Sequence, residues 1–202
     1  MCGAAVADEH EHLVEPDKRR LVCVCQACAI LFPALSGQVG GQSGHLGSIA
    51  GRYKRVPSRI RFLPNFRLTD AQWDSLLVPI NMAFFFAGGT SGSVTAVYPS
   101  PAGATESLLP LETWDQIVAE NSELQSMEAD VEALLVNRLG AGRGFPMNQY
   151  FLLPIDQCFK LVGLVRTNWR GLSGGTELWW ELERFFAALT AQAGCLAEHP
   201  HA

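Results

Sequence analysis

The chain has 202 residues, a net charge of −5 and a sequence pI near 5.5, so it carries no positive field to gather a nucleic-acid backbone. Hydrophobic residues make up 48% of it, with eleven Phe and five Trp, which is enough for one domain core and a small appendage. No run approaches the roughly 20 apolar residues of a membrane span, and no basic segment leads into an apolar one at the N-terminus. The expected location is therefore the cytoplasm, where clustered cysteines serve as metal ligands or redox groups rather than as disulfides.

The first 28 residues hold the chemistry. Cys2, His10, His12, Cys23, Cys25 and Cys28 follow one another as C-x7-H-x-H-x10-C-x-C-x-x-C. Thiolates and imidazoles at this density suit a tetrahedral, borderline-soft cation. Pro16-Asp17-Lys18-Arg19 has turn chemistry between Leu13-Val14 and Leu21-Val22, which predicts a hairpin in which residue i faces residue 35 − i. His12 then opposes Cys23 and His10 opposes Cys25, and the period-two alternation puts all four on one face, with opposed Cβ atoms about 4.5–5.5 Å apart. Cys25 and Cys28 have the C-x-x-C spacing that brings two sulfurs to one ion across a tight turn. The short helix expected over Ala27–Leu35 is stopped by Pro33 or Gly37.

The expected ligand set is Cys2, Cys25 and Cys28, with either His12 or Cys23 as the fourth. Six candidates exceed the four positions of a mononuclear site. Structural zinc is the leading expectation; an iron–sulfur cluster, a Cys25/Cys28 thiol–disulfide couple and unliganded thiols are the alternatives.

Residues 36–51 are rich in Gly and Ser and read as a connector between a metal-binding knuckle (1–35) and an α+β domain (52–193). They lack the G-K-[ST] of a phosphate loop, and His45 reads as a solvated loop residue. Arg52, Lys54, Arg55, Arg59 and Arg61 read as a solvated edge strand, with an acidic partner or phosphate as the other option. Thr69 with Gln72 predicts a capping box for a helix that ends before Pro79. Ile80–Phe86 and Val94–Tyr98 are expected as two strands, the Phe84-Phe85-Phe86 run being buried on both faces, after which residues 99–103 break the sheet. Leu111–Glu120 reads as a helix with Trp114, Ile117 and Val118 inward. Ala133–Val136 and Tyr150–Leu153 read as strands. Ile155–Trp169 and Thr176–Ala193 are two C-terminal amphipathic helices, with Cys158 a core thiol and residues 194–202 a tail.

No nucleophile elbow, zinc-protease helix or Walker sequence is present, so a catalytic site is not expected. Asp156 and Glu106 are the acids nearest to such a role, and each reads as a helix N-terminal dipole partner.

The segments E-H-x-H-L-V, C-x-C-x-x-C-A-I-L-F, R-Y-K-R-V-P, L-T-D-A-Q-W, Y-P-S-P-A-G-A-T-E-S, L-P-I-D-x-C-F-x-L-V-G-L-V-R and W-R-G-x-S-G-G resemble an uncharacterised actinobacterial family of about this size. Its members are encoded beside the structural and maturation genes of high-affinity nickel-iron hydrogenases. The resemblance implies an accessory role, with hydrogenase subunits or maturation proteins as partners. It also implies that Met1-Cys2-Gly3 ends a C-x-x-C-G motif whose first cysteine lies just upstream. Two such knuckles would make a zinc ribbon and leave His10, His12 and Cys23 for a second shell or a second metal.

The resulting expectation is an α+β protein: a zinc-ribbon-like N-terminal knuckle, then a mainly antiparallel sheet with helices, two of them C-terminal. Its expected function is non-enzymatic metal binding in hydrogenase assembly. The alternatives are metal or electron delivery through a labile Cys/His site, and an enzyme or small-molecule binder stapled by a structural zinc.

Overall fold

The computed structural model describes residues 2–34, 52–89, 92–108, 111–140, 147–171 and 173–197. The glycine-rich connector with His45, and the end of the tail with His199 and His201, lie outside the described residues. The chain runs β1 (Glu11–Glu15), β2 (Arg20–Val24), α1 (Gln26–Ala34), β3 (Lys54–Arg55), β4 (Arg61–Phe62), α2 (Asp70–Ser75), β5 (Met82–Ala87), β6 (Val94–Ser100), β7 (Gly103–Leu108), α3 (Leu111–Glu120), β8 (Glu132–Asn137), β9 (Gln149–Pro154), α4 (Ile155–Asn168) and α5 (Gly175–Ala197).

Among the described residues two antiparallel sheets result: a small one in the order β2-β1-β3 and a six-stranded one in the order β4-β9-β8-β5-β6-β7. Period-two alternation gives the larger sheet two buried faces. Phe84, Phe86, Leu135, Phe151 and Leu153 pack on α4 and α5 through Cys158, Leu161, Leu182 and Phe186. Phe85, Leu134, Val136 and Leu152 meet Trp73 of α2, Leu76 at its C-cap, and Trp114 and Ile117 of α3 on the other side. The triple phenylalanine thus serves both cores, as a doubly covered strand requires.

The α2 start is the predicted capping box: the Gln72 backbone N–H donates to Thr69 Oγ1 at 3.2 Å, and Gln72 Oε1 accepts from the Thr69 N–H at 2.9 Å. The expected break at residues 99–103 is instead a tight hairpin, Ser100 opposing Gly103, that adds β7 to the sheet. Pro99 is tolerated because at that level β6 pairs with β7 alone, its register with β5 starting at Val97. Glu106 accordingly lies in mid-strand on β7 and not at a helix start; its carboxylate accepts from Arg19 at the hairpin tip at 2.8 Å.

The basic segment includes two short edge strands, and four of its five cations meet acids of this same chain, while Arg61 donates to Ser126 Oγ at 2.6 Å. Arg52 pairs with Glu15, Lys54 with Asp130 and Arg55 with Glu11. Arg59 forks onto the fully buried Glu132, donating at 2.6 and 2.7 Å. Pairing of this kind offsets the cost of taking a carboxylate out of water.

The N-terminal hairpin has the predicted register, with His12 opposing Cys23 and Glu15 opposing Arg20. One face carries Leu13, Val22 and Val24, which pack with Cys28, Ala29 and Phe32 of α1 and with Tyr53 in a small core of their own. The other face carries Val14 and Leu21, which join the main core beside α4. The strand that completes the small sheet, β3, comes from beyond the connector.

Candidate metal centres

The six predicted ligands are brought together, but as two groups of three. Cys2, Cys25 and Cys28 form the first; His10, His12 and Cys23 form the second, and within each group one ligand atom per residue lies within 4.8 Å of the others. The single shared face expected for His10, His12, Cys23 and Cys25 is not what forms. Strand β2 ends at Val24 and α1 begins at Gln26, so Cys25 escapes the alternation and turns toward α1. The expected fourth ligands of the three-cysteine group, His12 and Cys23, stand instead on the face that looks toward α4.

In the first group Cys2 Sγ is 3.5 Å from both Cys25 Sγ and Cys28 Sγ. All three are free thiols. A tetrahedral zinc with bonds of about 2.3 Å separates its sulfurs by about 3.8 Å, so an ion fits after a small outward adjustment. The helical turn from Cys25 O to the Ala29 N–H (3.0 Å) holds the C-x-x-C pair, and Cys28 is buried in the small core. The Cys2 thiol titrates below its ordinary range because a backbone N–H at Ala4 and the Cys28 and Cys25 thiols stabilise its anion. At Cys28 the Cys2 backbone N–H pulls the same way, but the Cys2 sulfur, burial and Cys25 outweigh it and raise the thiol. One anion therefore forms readily and the next is resisted by the first, a conflict that a bound cation removes.

The second group is built differently. His12 Nδ1 is 3.0 Å from Asp156 Oδ2, and the other oxygen of Asp156 accepts the Gln157 backbone N–H at 2.8 Å at the start of α4. His10 Nδ1 is 2.8 Å from Ala7 O, and its ring centroid lies 4.7 Å from that of His12. With both Nδ1 atoms engaged, Nε2 is the nitrogen each ring has left. Cys23 is exposed beside them. Sequence reasoning placed Asp156 at a helix start but missed its bond to His12, because the two are 144 residues apart and no local pattern links them.

Cys158 is buried in the main core, and burial pushes its thiol far above the ordinary range. It has the inert environment expected for a packing residue. No helix among the described residues is long and apolar enough to cross a membrane.

No curated protein and no solved structure matches the chain. A family model does match, over residues 1–193, and the chain belongs to that family, a family of unknown function (DUF5947).

Proposed function

We propose that the protein is a non-enzymatic, cytoplasmic accessory factor for nickel-iron hydrogenase assembly or maturation, in which zinc at Cys2, Cys25 and Cys28 fastens the N-terminal knuckle as a docking element. The observation that carries the metal-binding part is the convergence of three free thiols at 3.5 Å from residues 2, 25 and 28. Three thiolates supply most of the closed, sulfur-rich shell that structural zinc takes, and the small core of Leu13, Val24, Ala29 and Tyr53 is too slight to hold α1 in place unaided. Helix α1 presents Ile30 and Leu31, each more than half exposed, beside this site. Such a patch next to a rigid knuckle suits a protein partner better than nucleic acid, which the net charge of −5 disfavours.

The hydrogenase part rests on the motif resemblance. Its test is co-purification with hydrogenase subunits from cells that make both. Recovery of the subunits with the wild-type chain, and loss with the Cys25→Ser, Cys28→Ser double variant, is the expected result. Equal recovery with both chains, or none with either, contradicts it.

A further inference from the structure

The first three-residue group leaves His10, His12 and Cys23 unused, and they occupy the opposite face of the hairpin. Two imidazoles and a thiol are a donor set for a borderline divalent cation of the nickel–copper–zinc class. Three features make this more than proximity. His10 Nε2 is buried and has no hydrogen-bond partner among the described residues, which is an uncompensated desolvation cost unless something binds there. Both Nδ1 atoms are engaged, His10 with a carbonyl and His12 with a carboxylate, the arrangement that fixes a ligating histidine's tautomer and aims Nε2 at an ion. His10 and His12 also line a depression bordered by Asp8, Glu9, Asp156 and Lys160.

We propose that His10, His12 and Cys23 form a second metal site, three-coordinate from the protein with an open position, and that Asp156 is its positioning residue through His12. Two imidazoles and one thiol leave a coordination position for water or an incoming ligand, as in zinc sites that keep one open. The hairpin thus has a three-cysteine group on its α1 face and a two-histidine, one-cysteine group on its α4 face. This goes beyond the docking role above and does not depend on the thiolate site being filled.

Cobalt(II) serves as the probe, because a Co–thiolate bond gives a sulfur-to-cobalt charge-transfer band and visible bands of low-symmetry coordination. Full-length protein, dialysed after purification without added metal, is titrated with Co²⁺. Wild type should bind one more equivalent than either Cys23→Ser or His10→Ala/His12→Ala, and the charge-transfer band of that equivalent should vanish in Cys23→Ser. Cys23 is exposed, so that variant does not threaten folding. Asp156→Ala should keep the stoichiometry but weaken this equivalent about 10–100-fold, with Asp156→Asn in between, while any ion at Cys2, Cys25 and Cys28 is unaffected. Cobalt uptake that is the same in wild type and Cys23→Ser overturns the proposal. Loss of the tightly held ion alone, with this difference intact, would count against the thiolate site and not against this one.

Discussion

Glu15 shows how single residues tie the hairpin to the rest of the chain. Its carboxylate is almost completely buried at the end of β1 and pairs with Lys18, Arg20 and Arg52 at 2.8–2.9 Å. Lys18 donating to it, with Arg52 beside it, holds the carboxyl down to about 2 against the opposing effect of burial. A depressed carboxyl stabilises the fold above its ordinary value of 4.5, and this contribution is lost as the pH falls through about 2. An NMR titration of the Glu15 side-chain carbonyl should give a midpoint near 2; a midpoint at 4 or above would show that the cations do not engage it. That five cations between residues 52 and 61 gather near one another is plain from the chain alone. The acids that pair with four of them are not, because Glu15, Asp130, Glu11 and Glu132 come from distant segments, and ion pairing across a fold leaves no local periodicity.

At the scale of elements, what could be read was what local chemistry dictates. The capping residues of α2, the turn at Pro16-Asp17 and the face of α5 carrying Leu178, Leu182, Phe185, Phe186 and Leu189 follow from short-range rules, and each is present. Thr69→Ala removes one side of the α2 capping box and should cost about 1 kcal/mol of global stability in urea unfolding with an unchanged slope; no shift in the midpoint would mean that the cap is redundant. What could not be read was where a local rule yields to its neighbour. Strand alternation assigned Cys25 to the face of Cys23, but the start of α1 one residue later takes it to the other side. Pro99 and Pro101 read as a sheet breaker, yet the edge position of that stretch of β6 leaves no ladder bond for Pro99 to disrupt on its far side. The W-R-G-x-S-G-G segment is likewise structural: Trp169 Nε1–H donates to Gly171 O, Arg170 bridges to Gly174, and Gly174 sits at φ +88° where an added Cβ would fall 2.6 Å from Leu178. It is the corner that turns α4 into α5.

For the molecule as a whole, the six-stranded sheet carries helices on both faces, each face having a large apolar cluster. The N-terminal hairpin is added to it through Val14, Leu21 and the His12–Asp156 bond, and α1 is added to the hairpin through a much smaller core. Protection is therefore expected to fall outward from sheet to hairpin to α1, and the three-cysteine group lies beside the smallest of the cores. Metal at Cys2, Cys25 and Cys28 would tie the start of the chain to the start of α1 and close that gap. The most direct test is metal content combined with amide hydrogen exchange, before and after chelation, on protein purified without added metal. About one zinc surviving dialysis is expected, with its removal abolishing protection over residues 26–34 while β5, β8 and β9 keep theirs. A zinc-free protein with residues 26–34 equally protected would contradict the metal-fastened knuckle.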